Sequence, residues 1–516
     1  MVENKLQPEM KKAGLAKRIL KNIGLGVLTL TILLALVFEV SLKIVILLVI
    51  ILAAFTALPK PARKWFWLSV GVVIIALTIW VFLPENNHHW RPYIFEKEQD
   101  EFEAKYTIPY EENAAVIYNK LVWDFDPQEM RLKFLHPEVR KKVLSEPWIS
   151  YDYPELALWL GEHENTISFL PQACRFKTCR FPGNFKLRVT NMLELNRYTA
   201  LKSWAILLLL SANNDVAEGR LDSGLSKYAC VLRMADHLYQ QKRIADFLLC
   251  FSIEGLALKP VRRLVIEEQL SDSQLRNVSD SLTNLEDNWS SDFLQCLEYD
   301  KFFVKNTFCS LAFEKDTQNH VRYSRNPANA IWGRFRRSKF KETYWFRKSM
   351  KAYAILAWFV FPATPRKAAE MIDKVYEEYH AMAKSDFDWD KQKAGPPPSL
   401  ELNCKFLVWL LTKSISRPYS GFHDIYLKRL AQRRGLSLLV AIKQYNIEHD
   451  MWPKSLEQIS EYVTPEAFLD STNDDGFAYI LDGDGFKFYS KGENCIDEEG
   501  REKDGADDWP IWPPGE

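Results

Sequence analysis

The sequence predicts a mainly α-helical protein in three parts: N-terminal transmembrane helices, an irregular helical-hairpin domain, and a small C-terminal α+β module. Three observations predict it. Apolar runs extend from Ile23 to Leu58 and from Trp65 to Leu83. Apolar residues then recur at helical spacing through most of 95–420. Over 421–516 the pattern changes to one amphipathic helix, two short strands and an acidic loop. A chain of 516 residues is too long for one core. Lys plus Arg equal Asp plus Glu at 67 each, so no global field favours a polyanion. Aromatics at 13%, with 17 Trp, argue against long disordered tracts.

A bilayer core about 30 Å thick is crossed by roughly 20 helical residues. One helix over Ile23–Leu58 would be about 54 Å long, more than a tilt of up to about 40° absorbs. Glu39 and Lys43, in FEVSLK, therefore read as a turn between short spans at 23–38 and 44–58, with Lys21 and Lys43 snorkelling. A third span, 65–83, has Trp65, Trp67 and Trp80 as interfacial aromatics. Lys5, Lys11, Lys12, Lys17, Arg18 and Lys21, in the basic segment 1–22, then face the cytoplasm together with Lys60, Arg63 and Lys64. Two spans would place the second group outside, against the positive-inside rule. The expected location is the inner (cytoplasmic) membrane, multi-pass, with the large domain extracytoplasmic. A rival reading makes Glu39 and Lys43 an intramembrane pair on an ion path.

In the helical domain, 95–420, the apolar run beginning at Leu201 ends in the polar SANNDVAEGRLDSG, and a second amphipathic helix follows. With the small residues Ala212, Ala217, Gly219 and Gly224 this pair weakly resembles a tetratricopeptide-like hairpin, but no repeat of about 34 residues is sustained. Further helices are expected over 243–268, 272–300, 366–384 and 400–416. Of eight cysteines, Cys230, Cys250, Cys296 and Cys404 stand among apolar helical residues as small core residues. Cys174 and Cys179, close together in CRFKTCRFP, are the candidates for a local disulfide in an oxidising compartment. The segment 333–351 interleaves aromatics with Arg334, Arg336, Arg337, Lys339, Lys341, Arg347 and Lys348. Outside the membrane it suits anionic headgroups or an acidic partner; in the cytoplasm it suits a phosphate backbone; a solvated basic loop is the plain reading. The apolar 352–362 that follows is too short to span.

Motifs with a strong catalytic mechanism are absent: no phosphate-binding glycine loop, no His-Glu-x-x-His, no Gly-x-Ser-x-Gly. His163 lies beside Glu162 and Glu164 in sequence, a weak acid–base candidate. Glu254, in FLLCFSIEGLAL, is a lone carboxylate in an apolar helix. It is expected to pair with Arg262 or Arg263; buried without a partner it would act as an acid.

The last part, 421–516, carries a helix over 424–448, a Pro-marked turn at Met451-Trp452-Pro453, and strands 477–481 and 486–490 around Asp482-Gly483-Asp484-Gly485. The acidic stretch Glu493–Asp508 closes it. Tyr445, Trp452-Pro453, Ser455-Leu456, Tyr479 and Tyr489-Ser490-Lys491-Gly492 occur in an order that resembles the globular part of the major pseudopilins of type II secretion. Cys179-Arg180-Phe181-Pro182 is similar to a motif of large uncharacterised bacterial membrane proteins that carry such a module. The prepilin signal is missing, so the resemblance does not imply a pilus subunit. It implies a calcium site, for which a hard cation wants oxygen ligands. Asn494, Asp497, Asp504, Asp507 and Asp508 are the candidates, and a solvated acidic loop is the alternative. The function expected is binding or assembly in the bacterial envelope, linked to secretion, with an unknown protein or peptide partner, the membrane as a further partner and no nucleic acid. A membrane-bound hydrolase using dispersed carboxylates, or a cytoplasm-facing polyanion-binding protein, is the alternative.

Overall fold

A computed structural model describes residues 95–181, 190–282, 289–315, 321–323, 365–384, 405–473, 475–501 and 506–513. Among these are twelve α-helices and seven short strands. The helices are α1 Phe95–Ala104, α2 Ala115–Trp123, α3 Pro137–Ser145, α4 Pro154–Glu162, α5 Glu164–Cys174, α6 Thr190–Ala217, α7 Leu221–Tyr239, α8 Ile244–Glu267, α9 Asp272–Leu282, α10 Trp289–Ala312, α11 Pro365–Lys384 and α12 Lys405–His449. The chain divides into two compact units, 1–92 with 311–367 and 399–409, and 93–310 with 368–398 and 410–516. In the first, β1 Phe313–Lys315 pairs antiparallel with β2 Val321–Tyr323.

The membrane architecture is corrected by the structure. Among the described residues no helix is long and apolar enough to cross a membrane, and the spans placed at 23–38, 44–58 and 65–83 lie outside them. The long apolar helices that are described are interrupted by charge: Asp215 in α6, and Glu254, Arg262 and Arg263 in α8. The transmembrane part of the fold class and the multi-pass inner-membrane location are withdrawn. A mainly helical protein with a small sheet region stands.

The second unit is built on the α6–α7–α8 array. Gly219, at φ +79°, ends the α6 turn where a left-handed residue is needed. A Cβ on Gly224 would stand 2.8 Å from the Val216 side chain and 3.2 Å from the Ala212 carbonyl, so glycine sets how closely α7 returns along α6. The SANND segment does not end α6 as expected. Its side chains bind neighbours instead: Asn213 donates to the Val143 carbonyl at 2.7 Å, and Asn214 to that of Trp148 at 3.1 Å. Asp215 accepts from Arg220, Ser223 and Lys227. Polar residues inside a helix are tolerated when tertiary partners satisfy them. An aromatic column then joins four helices: Tyr239 stacks on Phe247 at 4.6 Å, Phe247 on Phe422 at 5.6 Å, and Phe422 meets Trp289 at 5.2 Å.

One sequence expectation changes in this part. Over 272–300 the described residues are helical, in α9 and α10, and 283–288 lie outside them. Helices expected at 400–416 and 424–448 are one, α12, which runs through Pro418 and Gly421 without interruption. The boundary placed between 420 and 421 therefore falls inside a helix. Phe422, Tyr426, Leu436 and Leu439 are all buried, so one continuous face of α12 belongs to the core.

After α12, 3-10 turns at Leu456–Ile459 and Pro465–Phe468 lead into β3 Leu469–Asp470 and β4 Asp475–Gly476, then β5 Ala478–Asp482, β6 Gly485–Ser490 and β7 Trp509–Trp512. The last three form an antiparallel sheet in the order β5-β6-β7. Asp482 pairs with Gly485 across a two-residue turn whose Gly483 has φ +59°, as the Asp-Gly sequence predicts. Gly435 of α12 lies against Ile511 of β7, where a Cβ would come within 2.6 Å of the isoleucine side chain.

Candidate functional site

Pairing of Ser490 with Trp509 in β6–β7 returns the acidic loop to its own start. Gly492 has φ +65°, and a Cβ there would lie 2.5 Å from the Asp507 carbonyl and carboxylate, so only glycine lets the two ends meet. Around this closure three carboxylates are oriented by backbone N–H groups. Asp507 Oδ2 accepts from Glu493 at 2.8 Å and Asn494 at 3.1 Å. Glu498 Oε2 accepts from Asp507 at 3.1 Å and Asp508 at 3.3 Å. Asp508 Oδ2 accepts from Glu498 at 2.8 Å and Gly500 at 2.9 Å.

One oxygen from each of Glu498, Asp507 and Asp508 falls within 4.8 Å of the others. Asp508 is fully buried, and its Oδ1 and that of Asp507 have no hydrogen-bond partner among the described residues. Burial raises the Asp508 carboxyl above its usual range, whereas the Asn494 amide, at 2.9 Å from Oε1, lowers that of Glu498. Among the described residues, Lys491 pairs with Asp475, while Arg501, whose charge also favours ionised Glu498, donates Nε to the Glu498 carbonyl at 2.8 Å. Converging carboxylates with buried, unpaired oxygens fit a hard divalent cation, which takes oxygen ligands and offsets their repulsion.

Of the residues singled out in the sequence, Asp507 and Asp508 meet here and Asn494 buttresses Glu498. Asp497 is held apart, accepting from the Tyr489 hydroxyl at 2.7 Å, and Asp504 lies outside the described residues. Glu498 was not anticipated. Its neighbours Asp497 and Glu499 are also acidic, and only the turn that aims its side chain at Asp507 and Asp508 distinguishes it.

The other candidates resolve differently. Cys174 is bonded to Cys230, with Cα atoms 5.4 Å apart, and Cys179 is a free buried thiol. The expected Cys174–Cys179 bridge is therefore corrected; Cys230 is buried in the core as expected, but within a disulfide. Cys174 ends α5 facing α7, while Cys179 belongs to an extended segment fixed in another direction. Cys250 and Cys296 are buried and free, and Cys404 is outside the residues whose side chains are described. Glu254 pairs with Arg433, not with Arg262 or Arg263; Arg433 also reaches Asp236 at 3.3 Å. Arg263 pairs with Glu146 at 3.3 Å. His163 packs edge-on against Trp159 at 4.6 Å. Arg334, Arg336, Arg337, Lys339, Lys341, Arg347 and Lys348 all lie outside the described residues.

The Cys179-Arg180-Phe181 part of the Cys-Arg-Phe-Pro motif has a structural explanation, and Pro182 lies outside the described residues. Three carboxamides bind its backbone as a strand would. Gln240 takes the Cys179 N–H and donates to the Lys177 carbonyl, at 2.8 and 2.9 Å. Gln241 takes the Phe181 N–H and donates to the Cys179 carbonyl, at 2.9 and 2.8 Å. Asn113 takes the Arg180 N–H and donates to its carbonyl, at 2.9 and 3.0 Å. Beside them burial holds the His237 imidazole down to about 4, so it is neutral. Nδ1 accepts from Tyr118 at 3.0 Å and Nε2 donates to the Phe176 carbonyl at 2.9 Å.

No family model, curated protein or solved structure matches the chain.

Proposed function

We propose that the chain is a binding or assembly protein whose C-terminal contact module is made rigid by calcium at Glu498, Asp507 and Asp508. The observation that carries this reading is the fully buried Asp508, which has an oxygen without a partner among the described residues and whose carboxylate lies within 4.8 Å of those of Glu498 and Asp507. A loop that needs a cation to hold its shape suits a surface recognised by a partner better than it suits chemistry. The order of helix, Trp-Pro turn, short strands, Tyr-Ser-x-Gly and acidic loop supports the same reading through its resemblance to major pseudopilins. The hydrolase alternative is weakened at its chosen residue, because Glu254 is fully buried and already bound to Arg433.

The test is thermal unfolding of the full chain with calcium, with magnesium and with chelator. Calcium at about a hundred times its dissociation constant adds roughly 2.7 kcal/mol to stability. A melting temperature raised by calcium, less by magnesium, and insensitive to calcium in Asp508→Asn is expected. Identical melting of the unsubstituted protein in calcium and chelator refutes the proposal.

A further inference from the structure

A cleft of about 460 Å³ opens between α3, α6, α8 and α12, on elements distinct from the acidic loop. Its charged lining is entirely basic: Arg140 from α3, Lys202 from α6 and Arg429 from α12. Leu144, Ile206 and Leu256 supply an apolar wall. Arg140 and Lys202 are exposed and form no ion pair among the described residues. Arg429 is held in place by neutral acceptors: its guanidinium donates to the Phe251 carbonyl and, at 2.6 Å, to Gln432 Oε1. It occupies the space over Gly255 that a Cβ would fill, so the glycine is what admits it.

A second guanidinium lies behind the first. Arg262 is 6% exposed, donates to the Gln432 carbonyl at 3.3 Å and leaves its Nε without a partner. Burial and the charge of Arg429 bring it down to about 10. The carboxylates in reach pair directly with other arginines, Glu146 with Arg263 and Glu254 with Arg433, although the Glu254 charge also favours the Arg429 guanidinium. Burial outweighs that help and still lowers Arg429 and Arg262, and an anion in the cleft reduces the cost.

We propose that this cleft binds a small phosphate-bearing organic anion, with Arg140, Lys202 and Arg429 around the phosphate and Leu144, Ile206 and Leu256 against the apolar remainder. The size falls in the ordinary range for small-molecule sites, about 300–1,000 Å³. Two planar guanidinium forks and an ammonium match the charge and oxygen geometry of a phosphate better than those of a monocarboxylate. Ser252 adds a hydroxyl donor to the lining. The site does not depend on the calcium reading, and either can fail alone.

The experiment is titration calorimetry of the full chain with inorganic phosphate, pyrophosphate and phenyl phosphate at constant ionic strength. Saturable binding is expected, tightest for phenyl phosphate because of the apolar wall. Arg140→Glu and Lys202→Glu, both at exposed positions, should each weaken it by about tenfold or more, equivalent to about 1.4 kcal/mol, with circular dichroism and calcium response unchanged. Absence of saturable binding, or undiminished affinity in both variants, overturns the proposal. Phenyl phosphate binding no tighter than inorganic phosphate overturns its apolar half.

Discussion

Replacing Arg433 by methionine leaves two carboxylates inside the protein without their shared cation. Arg433 is 4% exposed, Glu254 is 0% exposed and Asp236 is 6% exposed, so water cannot take over the lost interactions. Breaking a buried pair by removing one partner costs about 3–5 kcal/mol, and methionine keeps most of the arginine's apolar volume. The deficit depends on pH in a definite direction. Burial already raises native Asp236 to about 6, from an ordinary value of 3.8. Between these values the native state holds a proton that the unfolded chain has released, so this group's contribution is fully present below about 3.8 and is lost as pH rises through about 6. Without Arg433, whose charge lowers it, the Asp236 carboxyl moves higher, and the variant's deficit should shrink as pH falls from 8 toward about 5, by up to roughly 1.4 kcal/mol per pH unit. His237 titrates in the opposite sense but is present in both proteins, so it cancels in the difference. Urea unfolding followed by far-UV circular dichroism across this range measures the effect. Arg433→Met/Glu254→Leu should recover much of the loss, with Arg233 still 3.7 Å from Asp236. A single-variant deficit below about 1 kcal/mol, or one that does not shrink in acid, refutes the reasoning.

Three other expectations follow from single contacts. Gly492→Ala places a side chain at φ +65° and against Asp507, so it should destabilise the protein by about 1–3 kcal/mol and abolish the calcium-dependent rise in melting temperature. Non-reducing peptide mapping should recover Cys174 joined to Cys230 and Cys179 as a free thiol; for a separation of 56 residues, Cys174→Ser should cost about 4 kcal/mol on loop-entropy grounds. Gln241→Leu strands a buried Phe181 N–H and Cys179 carbonyl, and chemical unfolding should register a loss of about 2–4 kcal/mol.

What could be read in advance was local. The β5–β6 hairpin follows from Asp-Gly between alternating strands, and α8 from its apolar periodicity, because both signals lie within a few residues of the structure they specify. Gly219 and Gly224 marked the α6–α7 hairpin for the same reason. The errors concern partners distant in sequence. Glu254 has arginines eight and nine residues away on its own helix, yet its partner Arg433 arrives on α12, and Cys230 reaches Cys174 only because α7 packs on α5. Local pattern says that a buried charge needs a partner, but the fold chooses which one. Glu498 belongs to the same class: in a run of carboxylates, the ligand is the one the backbone turns inward. The gap left between the helices expected at 400–416 and 424–448 is itself helical, since α12 continues through Pro418, a residue type that usually ends a helix.

The carboxamide ladder along Lys177–Phe181 is a sheet neighbour made of side chains, and this moves sequence constraint to unusual places. In an ordinary ladder the partner's residues can vary, because main-chain atoms make the bonds. Here Asn113, Gln240 and Gln241 each supply a donor and an acceptor in register, which neither their acids nor an isosteric hydrocarbon can do. The amides of Cys179, Arg180 and Phe181 should accordingly exchange with solvent as slowly as those of a central strand, in a stretch where no strand is drawn. An amide-to-acid change at Gln241, a loss of one nitrogen, would release that protection for the peptide that leads out of the disulfide-bonded region.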